Sequence, residues 1–266
     1  MSGRPARDAH RRRSSRRRSS QQARTPSGGH PRVPVRSARR GYHRSVTILL
    51  RPPGVYRAQD DTDLLADVMR RDGRARGRTV LDVGTGTGAL ALAAVRAGAV
   101  AVTAVDLSVR SVVAARVNSA VRGAGLQVRR GDLFAPVRGR RFDLVLSNPP
   151  YVPAASGLLP RHRMGRCWDA GVDGRVLLDR ICAGVADVLT DAGVVLLVQS
   201  ALSGVAQTLE HLQRCGMRGD VVARARIPFG PVMRARAPML RARGLLGADD
   251  TTEEIVVVEG RRAGHA

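Results

Sequence analysis

The sequence has few cysteines and no long apolar run, and these absences exclude two broad classes of protein. Its three cysteines, Cys167, Cys182 and Cys215, are far apart and odd in number, and no Cys-x-x-Cys pair occurs. This usage is typical of reduced thiols and argues against a disulfide framework or a zinc cluster, so we predict no metal ligand. Because no run of about eighteen apolar residues and no apolar signal region occur, we expect a cytoplasmic protein without a membrane span.

Lysine is absent, and all 45 basic residues are arginine. Such a bias indicates a GC-rich coding sequence rather than selection for a phosphate-binding face. Residues 1–44 contribute +13 of the formal net charge of +23, because they hold 14 arginines and the single acid Asp8. The remaining +10 belongs to the rest of the chain and modestly favours an anionic partner.

Residues 1–44 combine arginine runs, serine pairs and a Pro/Gly/His-rich stretch without apolar periodicity. This composition is typical of a disordered tail. Such a tail could bind nucleic acid or the ribosome, or it could have no role, or be an artefact of the assigned start. We favour the last two interpretations, because ordered-looking sequence begins abruptly near Val46, whose codon can serve as a bacterial start.

From residue 45 to residue 262 the pattern predicts a single domain in which strands alternate with helices. The predicted strands span residues 79–83, 100–105, 126–130, 142–147, 193–198, 221–227 and 254–258. Predicted helices occupy residues 61–69, 89–97, 108–121, 174–189 and 205–215. This alternation predicts an α/β fold: a doubly wound, mostly parallel seven-stranded sheet with helices on both faces.

A glycine-rich turn follows the first predicted strand, in the sequence Asp82-Val83-Gly84-Thr85-Gly86-Thr87-Gly88. Glycine has no Cβ, so the backbone can turn tightly there and a ligand can come close. The N-terminus of the next helix offers unpaired N–H groups to a carboxylate or phosphate. The Gly-x-Gly-x-Gly spacing differs from that of dinucleotide sites. A plain strand-to-helix turn is the simpler interpretation, but we predict a ligand site.

Two acids follow the next two predicted strands. Asp106 comes after the second strand, where a carboxylate can accept hydrogen bonds from both hydroxyls of a ribose, and Asp132, after the third, can accept from an adenine amine. Either acid could instead cap a helix or turn. Because strand ends of an open sheet meet at one edge, these acids and the adjacent Leu107 and Leu133 predict a ligand there, and the pattern suits adenosine as well as NAD.

The segment Asn148-Pro149-Pro150-Tyr151 follows the fourth predicted strand. Two prolines cannot continue a central strand, and they stiffen the chain. The side-chain oxygen of Asn148 and the carbonyl of Pro149 could accept both hydrogens of a planar amide or amine nitrogen. They would thereby aim it at a methyl donor through positioning rather than through a strong base. Tyr151 supplies a ring for the planar group, so these four residues are the predicted catalytic set.

The chain from about residue 53 to residue 259 resembles the HemK/PrmC-type class I methyltransferases, which methylate the side-chain nitrogen of glutamine in release factors. The resemblance depends on Gly54-Val55-Tyr56, Gln59-Asp60-Asp61-Thr62, the glycine loop, Asp106, Gly131-Asp132 and Asn148 to Tyr151. It implies S-adenosylmethionine as cofactor, with Asp61 and Thr62 closing over its methionine end. The full set of expected cofactor-binding residues is Asp61, Thr62, Asp82, Gly84, Thr85, Gly86, Gly88, Asp106, Leu107, Asp132, Leu133 and Asn148.

The chain departs from the bacterial release-factor enzymes because it shows no N-terminal helical domain for docking the substrate. In this respect it is similar to the short eukaryotic and archaeal branch, which works with a small activating zinc-binding subunit. The resemblance therefore implies a protein substrate, such as a release factor, and raises the question of a small partner subunit.

A loop rich in Pro, Gly and Arg is predicted over residues 151–171. Its Arg161, His162, Arg163 and Arg166 could steer an acidic substrate or could simply be solvated. The stretch from Trp168 to Gly174 also resembles the family pattern, although helix capping by Asp173 and a buried tryptophan explain it more simply.

Two other functions remain open at the level of the sequence. The same acceptor pair suits the exocyclic amine of adenine in RNA or DNA, and an arginine-rich tail could bind phosphates. Against this, no base-flipping module is evident, and only three Phe, three Tyr and one Trp are available for stacking. A cofactor-binding scaffold is the third interpretation, and it has no need of the intact Asn148 motif.

Overall fold

Seven strands form one sheet in the part of the chain that the computed structural model describes, residues 49–53, 55, 59–155 and 170–263. They are β1 (Thr79–Val83), β2 (Ala101–Asp106), β3 (Gln127–Arg130), β4 (Phe142–Ser147), β5 (Leu189–Ser200), β6 (Met217–Pro228) and β7 (Thr252–Arg262). Their order across the sheet is β3-β2-β1-β4-β5-β7-β6. Strand β7 runs antiparallel to both of its neighbours, and the other pairs are parallel. The predicted α/β fold is confirmed.

Six α-helices connect or precede these strands in the described residues. They are α1 (Asp60–Arg71), α2 (Ala89–Arg96), α3 (Val109–Ala120), α4 (Val176–Val185), α5 (Val205–Arg214) and α6 (Pro231–Ala242). After β3 the chain returns across β1 and continues in the opposite direction along the sheet. Because parallel crossovers are right-handed, α2 and α3 cover one face and α4 and α5 cover the other.

The central strands are buried on both faces, which explains their continuous apolar sequences. Val80, Leu81 and Val83 of β1 are almost fully buried, as are Leu144, Val145 and Leu146 of β4. Strand β1 pairs with β2 on one side and with β4 on the other. The two strands that carry the glycine loop and the Asn-Pro-Pro-Tyr segment are therefore neighbours in the middle of the sheet.

Helix α6 is the main element without a counterpart in the sequence prediction. It begins at Pro231, where a missing N–H costs nothing, and it contains Pro238 in its interior. An internal proline removes one helical hydrogen bond and is normally read as the end of a helix. Burial of Met233, Ala237 and Leu240 against the core compensates for this.

Strand β5 begins four residues earlier than predicted, at Leu189 instead of Gly193. The preceding helix ends at Val185, and a 3-10 turn at Ala186–Val188 follows it. The register of β5 on β4 shifts between Phe142 and Leu144. The first residues of β5 therefore lack a continuous apolar pattern, and the sequence predicted only the part of the strand that begins at Gly193.

Several predictions concern residues outside those described. They include the tail at residues 1–44 with the domain boundary beside it, Gly54 and Tyr56, the loop side chains Arg161, His162, Arg163 and Arg166, and Trp168. None of the helices described is long and apolar enough to span a bilayer.

Candidate active site

A cavity of about 890 Å³ opens at the edge of the sheet where the parallel strands end. One part of it, here called the glycine-loop half, is lined by residues 84–87, 105–111 and 130–133. The other part, the proline half, is lined by residues 148–152, 227–228, 230–233 and 253. Residues 59–62 of α1 and its N-cap also line the cavity. The sheet order explains the division, because β1, β2 and β3 lie on one side of β4, and β5, β7 and β6 lie on the other.

The glycine loop presents bare backbone to the cavity. Gly84 and Gly86 have φ angles of 74° and 57°, which lie in the left-handed region that favours glycine. In the described structure, a Cβ added at either position would meet no atom within 4 Å. A Cβ on Gly88 would instead come within 3.4 Å of the Ala115 side chain in α3. Gly84 and Gly86 therefore leave room for a ligand, whereas Gly88 lets the loop pack closely on α3.

Asp82 holds the loop from beneath. Its Oδ2 accepts hydrogen bonds from the Thr85 hydroxyl at 2.6 Å and from the Ala91 N–H at 3.0 Å. Burial raises the pKa of Asp82 to about 6, in spite of these hydrogen bonds. Asp82 and Gly88 do not line the cavity, whereas the other predicted residues do. Any effect of Asp82 on a ligand must therefore act through the shape of the loop.

Asp106 stands at the end of β2 and links the glycine loop to α3. Its Oδ2 accepts from the Gly86 N–H at 2.9 Å, and its Oδ1 accepts from the Ser108 N–H at 2.8 Å. Burial raises the pKa of this carboxyl, which the hydrogen bonds partly offset. Each carboxylate oxygen can accept more than one hydrogen bond. The fixed carboxylate on the cavity wall is thus suited to the predicted pair of ribose hydroxyls.

Asp132 has a partner that the sequence did not reveal. Its Oδ2 accepts a charged hydrogen bond from Arg180 Nη2 of α4 at 2.6 Å, and both side chains are about half exposed. Exposed ion pairs are weak, so a ligand amine can compete with Arg180 for this carboxylate. The adjacent Leu133 has a φ of 46°, and among the described residues no other non-glycine residue has a positive φ. Such backbone strain is concentrated at ligand sites.

Asn148 follows β4 and lies between the two halves of the cavity. Its Nδ2 donates to the Thr62 hydroxyl oxygen at 3.0 Å. The Thr62 hydroxyl in turn donates to Asp61 Oδ1 at 3.3 Å, and the Thr62 N–H donates to the same oxygen at 2.6 Å. This chain of hydrogen bonds fixes which way the Asn148 amide faces. Within the described residues no group donates to its Oδ1, which leaves that oxygen available as an acceptor.

Tyr151 is tied to the same carboxylate. Its hydroxyl donates to Asp61 Oδ2 at 2.8 Å, and both side chains are buried. Its carbonyl accepts from the Ser203 hydroxyl at 2.6 Å. The sequence predicted Asp61 and Thr62 as cofactor contacts, and they do line the cavity. They also connect the first turn of α1 to Asn148 and Tyr151, which no spacing in the sequence could indicate.

Glu253 lines the cavity but was not predicted from the sequence as a site residue. It lies near the start of β7, lines the proline half and is 7% exposed. Burial raises the pKa of Glu253 to about 7, a hydrogen bond from the Ser200 hydroxyl lowers it less, and the Asp61 carboxylate raises it further. Two adjacent glutamates, Glu253 and Glu254, give no such signal in the sequence, because only the strand pairing shows which side chain meets the cavity.

The first turn of α6 completes the proline half with Pro231, Val232 and Met233. These side chains, together with Pro228 and Val152, give this half a largely apolar lining. Arg236 of the same helix donates to the carbonyls of Val152 and Pro153 at 3.0 Å each, so α6 is fastened to the chain that follows the Asn-Pro-Pro-Tyr segment.

Comparison with known proteins places this geometry in a family. The profile of the methyltransferase small domain matches residues 47–157, which contain the glycine loop and the Asn-Pro-Pro-Tyr segment. A protein of Methanocaldococcus jannaschii with the provisional name protein N5-glutamine methyltransferase is 32% identical over 185 residues, which cover 68% of this chain and 90% of that protein.

A release factor glutamine methyltransferase of Gloeobacter violaceus is 38% identical over 176 residues. The match covers 62% of this chain but only 61% of that relative. Among solved structures, a chain of the E. cuniculi Mtq2–Trm112 complex, described as responsible for methylation of the termination factor eRF1, superposes with a TM-score of 0.55. It is 23% identical, over 79% of this chain and 99% of that chain, and it therefore supports the fold alone.

The residues present suit S-adenosylmethionine, the cofactor of this family. Gly84 and Gly86 leave space for it, the Asp106 carboxylate stands where a ribose is expected, and the cavity continues to Asn148 beside it. A helix N-terminus at α2 adds N–H groups at the same edge. With its fold, its relatives and this cavity in agreement, the chain belongs to the HemK/PrmC-type family of class I S-adenosylmethionine-dependent methyltransferases.

Proposed function

We propose that this chain methylates the side-chain amide nitrogen of a glutamine in a protein, with a peptide release factor as the first substrate to test. The observation that carries the proposal is the orientation of Asn148. Its amide N–H₂ group is held by Thr62, and its oxygen is left for a substrate hydrogen. The names of the relatives from M. jannaschii and G. violaceus support the same reaction.

An amide nitrogen is a weak nucleophile because its lone pair is conjugated with the carbonyl. When bound, S-adenosylmethionine would supply a methyl group on a positively charged sulfur, with the sulfur leaving as a neutral thioether. The amide nitrogen would take the methyl group and lose one hydrogen as a proton to solvent, so the main task of the protein is to align the nitrogen. Asn148 Oδ1 and the Pro149 carbonyl can each accept one of the two amide hydrogens. Because Pro149 and Pro150 have fixed φ angles, these acceptors are already oriented before the substrate arrives.

Tyr151 gives the site its shape. Its ring is held by the hydrogen bond from its hydroxyl to Asp61, so it offers a fixed flat surface to a planar amide. The apolar lining from Pro228, Val232 and Met233 suits the methylene groups of a glutamine side chain. Burial of those groups away from water favours binding.

The test is incubation of the purified protein with methyl-labelled S-adenosylmethionine and a purified bacterial release factor. We expect label in the release factor, at a glutamine located by mass spectrometry. A parallel reaction contains total RNA and DNA in place of protein. Label only in the nucleic acid would reject the proposal and favour the adenine-N6 reaction.

Replacement of Asn148 separates chemistry from cofactor binding. In Asn148→Ala we expect transfer to fall by about 100-fold or more, because a preorganised acceptor is lost. Affinity for S-adenosylmethionine, measured by calorimetry, should stay close to that of the wild type. Loss of both would mean that Asn148 holds the cofactor, and the fall in transfer would then not assign it to the acceptor.

A small activating subunit is part of this proposal. The support for it is that this chain shares the fold of one chain of the Mtq2–Trm112 complex. Comparing transfer by the purified chain alone with transfer after addition of desalted extract from its own cells tests the idea. Full activity of the chain alone would contradict a need for a partner.

A further inference from the structure

Glu253 occupies a defined place in the proline half. In the sheet, Glu253 pairs with Ile227 of β6, and Ile255, two residues further along β7, pairs with Ser200 at the end of β5. Since β7 is antiparallel to its neighbours, its first residues lie at the edge where the other strands end. This brings a carboxyl from the far part of the chain to the same cavity as Asn148.

The carboxyl of Glu253 is buried but incompletely hydrogen-bonded. Its Oε2 is inaccessible to water and has no hydrogen-bond partner among the described residues. A buried carboxylate without full hydrogen bonding destabilises the folded protein, and such groups are uncommon and concentrated at functional sites. The next residue shows the contrast, because Glu254 is paired with Arg224 at 3.0 Å and does not line the cavity. Of these two neighbouring glutamates, the one whose oxygen lacks a hydrogen-bond partner is therefore the one that lines the cavity.

We propose that Glu253 is a specificity-determining residue, whose carboxyl accepts a hydrogen bond from a main-chain N–H of the peptide that carries the reacting glutamine. The proposal rests on the proposed function and adds the recognition of the peptide to it. It explains why a carboxyl is kept in a largely apolar lining: the substrate supplies the donor that the protein lacks.

The spacing of the sheet fits this assignment. In the strand order, β7 is two strands from β4, which carries Asn148, and neighbouring strands are about 4.8 Å apart, so roughly 10 Å separates them. A glutamine side chain with one hydrogen bond at its amide and one at its main chain spans a similar distance.

The chemistry of Glu253 also separates peptide from adenine. An ionised carboxylate can only accept hydrogen bonds. A peptide beside its reacting amide has main-chain N–H donors, whereas adenine apart from its amine presents acceptor nitrogens. In its ionised form, which predominates above its pKa of about 7, Glu253 therefore favours a protein acceptor over a flipped adenine base.

The decisive experiment measures steady-state kinetics with a purified bacterial release factor as acceptor, for the wild type, Glu253→Gln and Glu253→Ala. We expect the acceptor KM to rise about tenfold or more in Glu253→Ala, which removes a hydrogen bond to a charged group. The rise should be smaller in Glu253→Gln, because the amide oxygen of glutamine can still accept a hydrogen bond. The Kd for S-adenosylmethionine should stay within about twofold of the wild-type value, because a larger change in affinity would require the loss of a contact with the cofactor. Thermal unfolding of each variant confirms that it is folded.

Glu254→Gln is the matched control, because it makes the same change one residue away on β7, outside the cavity. It should leave both the acceptor KM and the cofactor Kd unchanged. A wild-type acceptor KM in Glu253→Ala would overturn the inference, as would a raised cofactor Kd with an unchanged acceptor KM. If the wild type labels no protein, the proposed function fails and the inference falls with it.

Discussion

Asp61 is the residue on which the arrangement of the proline half most depends. Its Oδ1 accepts from Thr62, and its Oδ2 accepts from the Tyr151 hydroxyl, so one buried carboxylate positions two parts of the predicted catalytic segment. Charge-assisted hydrogen bonds of this kind are stronger than neutral ones. The second carboxyl nearby, Glu253, has no comparable set of donors in the described structure. The two acids therefore have different physical roles although both are buried.

The stability of the protein should depend on pH through Glu253. Its pKa is raised from 4.5 to about 7, so its contribution to stability is fully present below pH 4.5 and is lost as the pH rises through 7. Glutamine does not ionise, so Glu253→Gln avoids this loss of stability. At pH 8 the free energy of unfolding of Glu253→Gln should be on the order of 3 kcal/mol higher than that of the wild type. Urea unfolding at several pH values measures this difference.

Well below pH 4.5 the difference between Glu253→Gln and the wild type should nearly vanish, because the carboxyl is then protonated in the folded and unfolded states. Glu254→Gln serves as the comparison, since Glu254 has a partner in Arg224. That variant should show no gain in stability that grows with pH. A constant difference for Glu253→Gln across the pH range would contradict the raised pKa.

At the scale of elements, the first turn of α1 is joined to the end of β4. The link is the Thr62 hydroxyl, which accepts from Asn148 and donates to Asp61. Thr62→Val keeps the shape of the side chain and removes the hydroxyl. We expect transfer to fall by roughly tenfold to 100-fold, because the Asn148 amide is then free to turn and the acceptor loses its alignment. Turnover with saturating acceptor measures the effect.

Thr62→Ser retains the hydroxyl and should restore most of the activity that Thr62→Val loses. Cofactor affinity of both variants should be measured in parallel, since Thr62 also lines the cavity. If valine and serine reduce transfer equally, the loss comes from altered packing around residue 62 and not from the missing hydroxyl. The hydrogen-bonded link would then have no role in aligning Asn148.

The elements that could be predicted from the sequence are those whose local signals agree with their surroundings. Strands β1 and β4 were predicted at their observed bounds, because fully buried parallel strands are continuous apolar runs. Helix α6 could not be found, since Pro238 breaks the local rule and only tertiary packing compensates. Glu253 was missed for a similar reason: its meaning depends on the antiparallel pairing of β7 with β6, which joins residues far apart in the chain.

At the scale of the whole molecule, the sheet order separates cofactor and acceptor while keeping their reacting ends together. The glycine loop follows β1 and Asn148 follows β4, and these two strands are hydrogen-bonded neighbours. The strands beyond β1 carry Asp106 and Asp132, and those beyond β4 carry Glu253 and lead into α6. The cofactor and the acceptor can thus approach from opposite sides and meet at the centre of the sheet.

The family match begins at residue 47, and the cavity is lined by residues from 59 onward. We therefore expect that a chain beginning at residue 45 methylates its protein acceptor with a kcat/KM within about twofold of the full chain, since it keeps all the described residues that line the cavity. Without residues 1–44 the formal net charge drops from +23 to +10, because 14 arginines and one aspartate are lost. Binding to RNA should weaken accordingly and should become less sensitive to salt. Kinetics and RNA binding of both chains at two salt concentrations test this, and a large loss of protein methylation in the shortened chain would show that residues 1–44 take part in substrate binding.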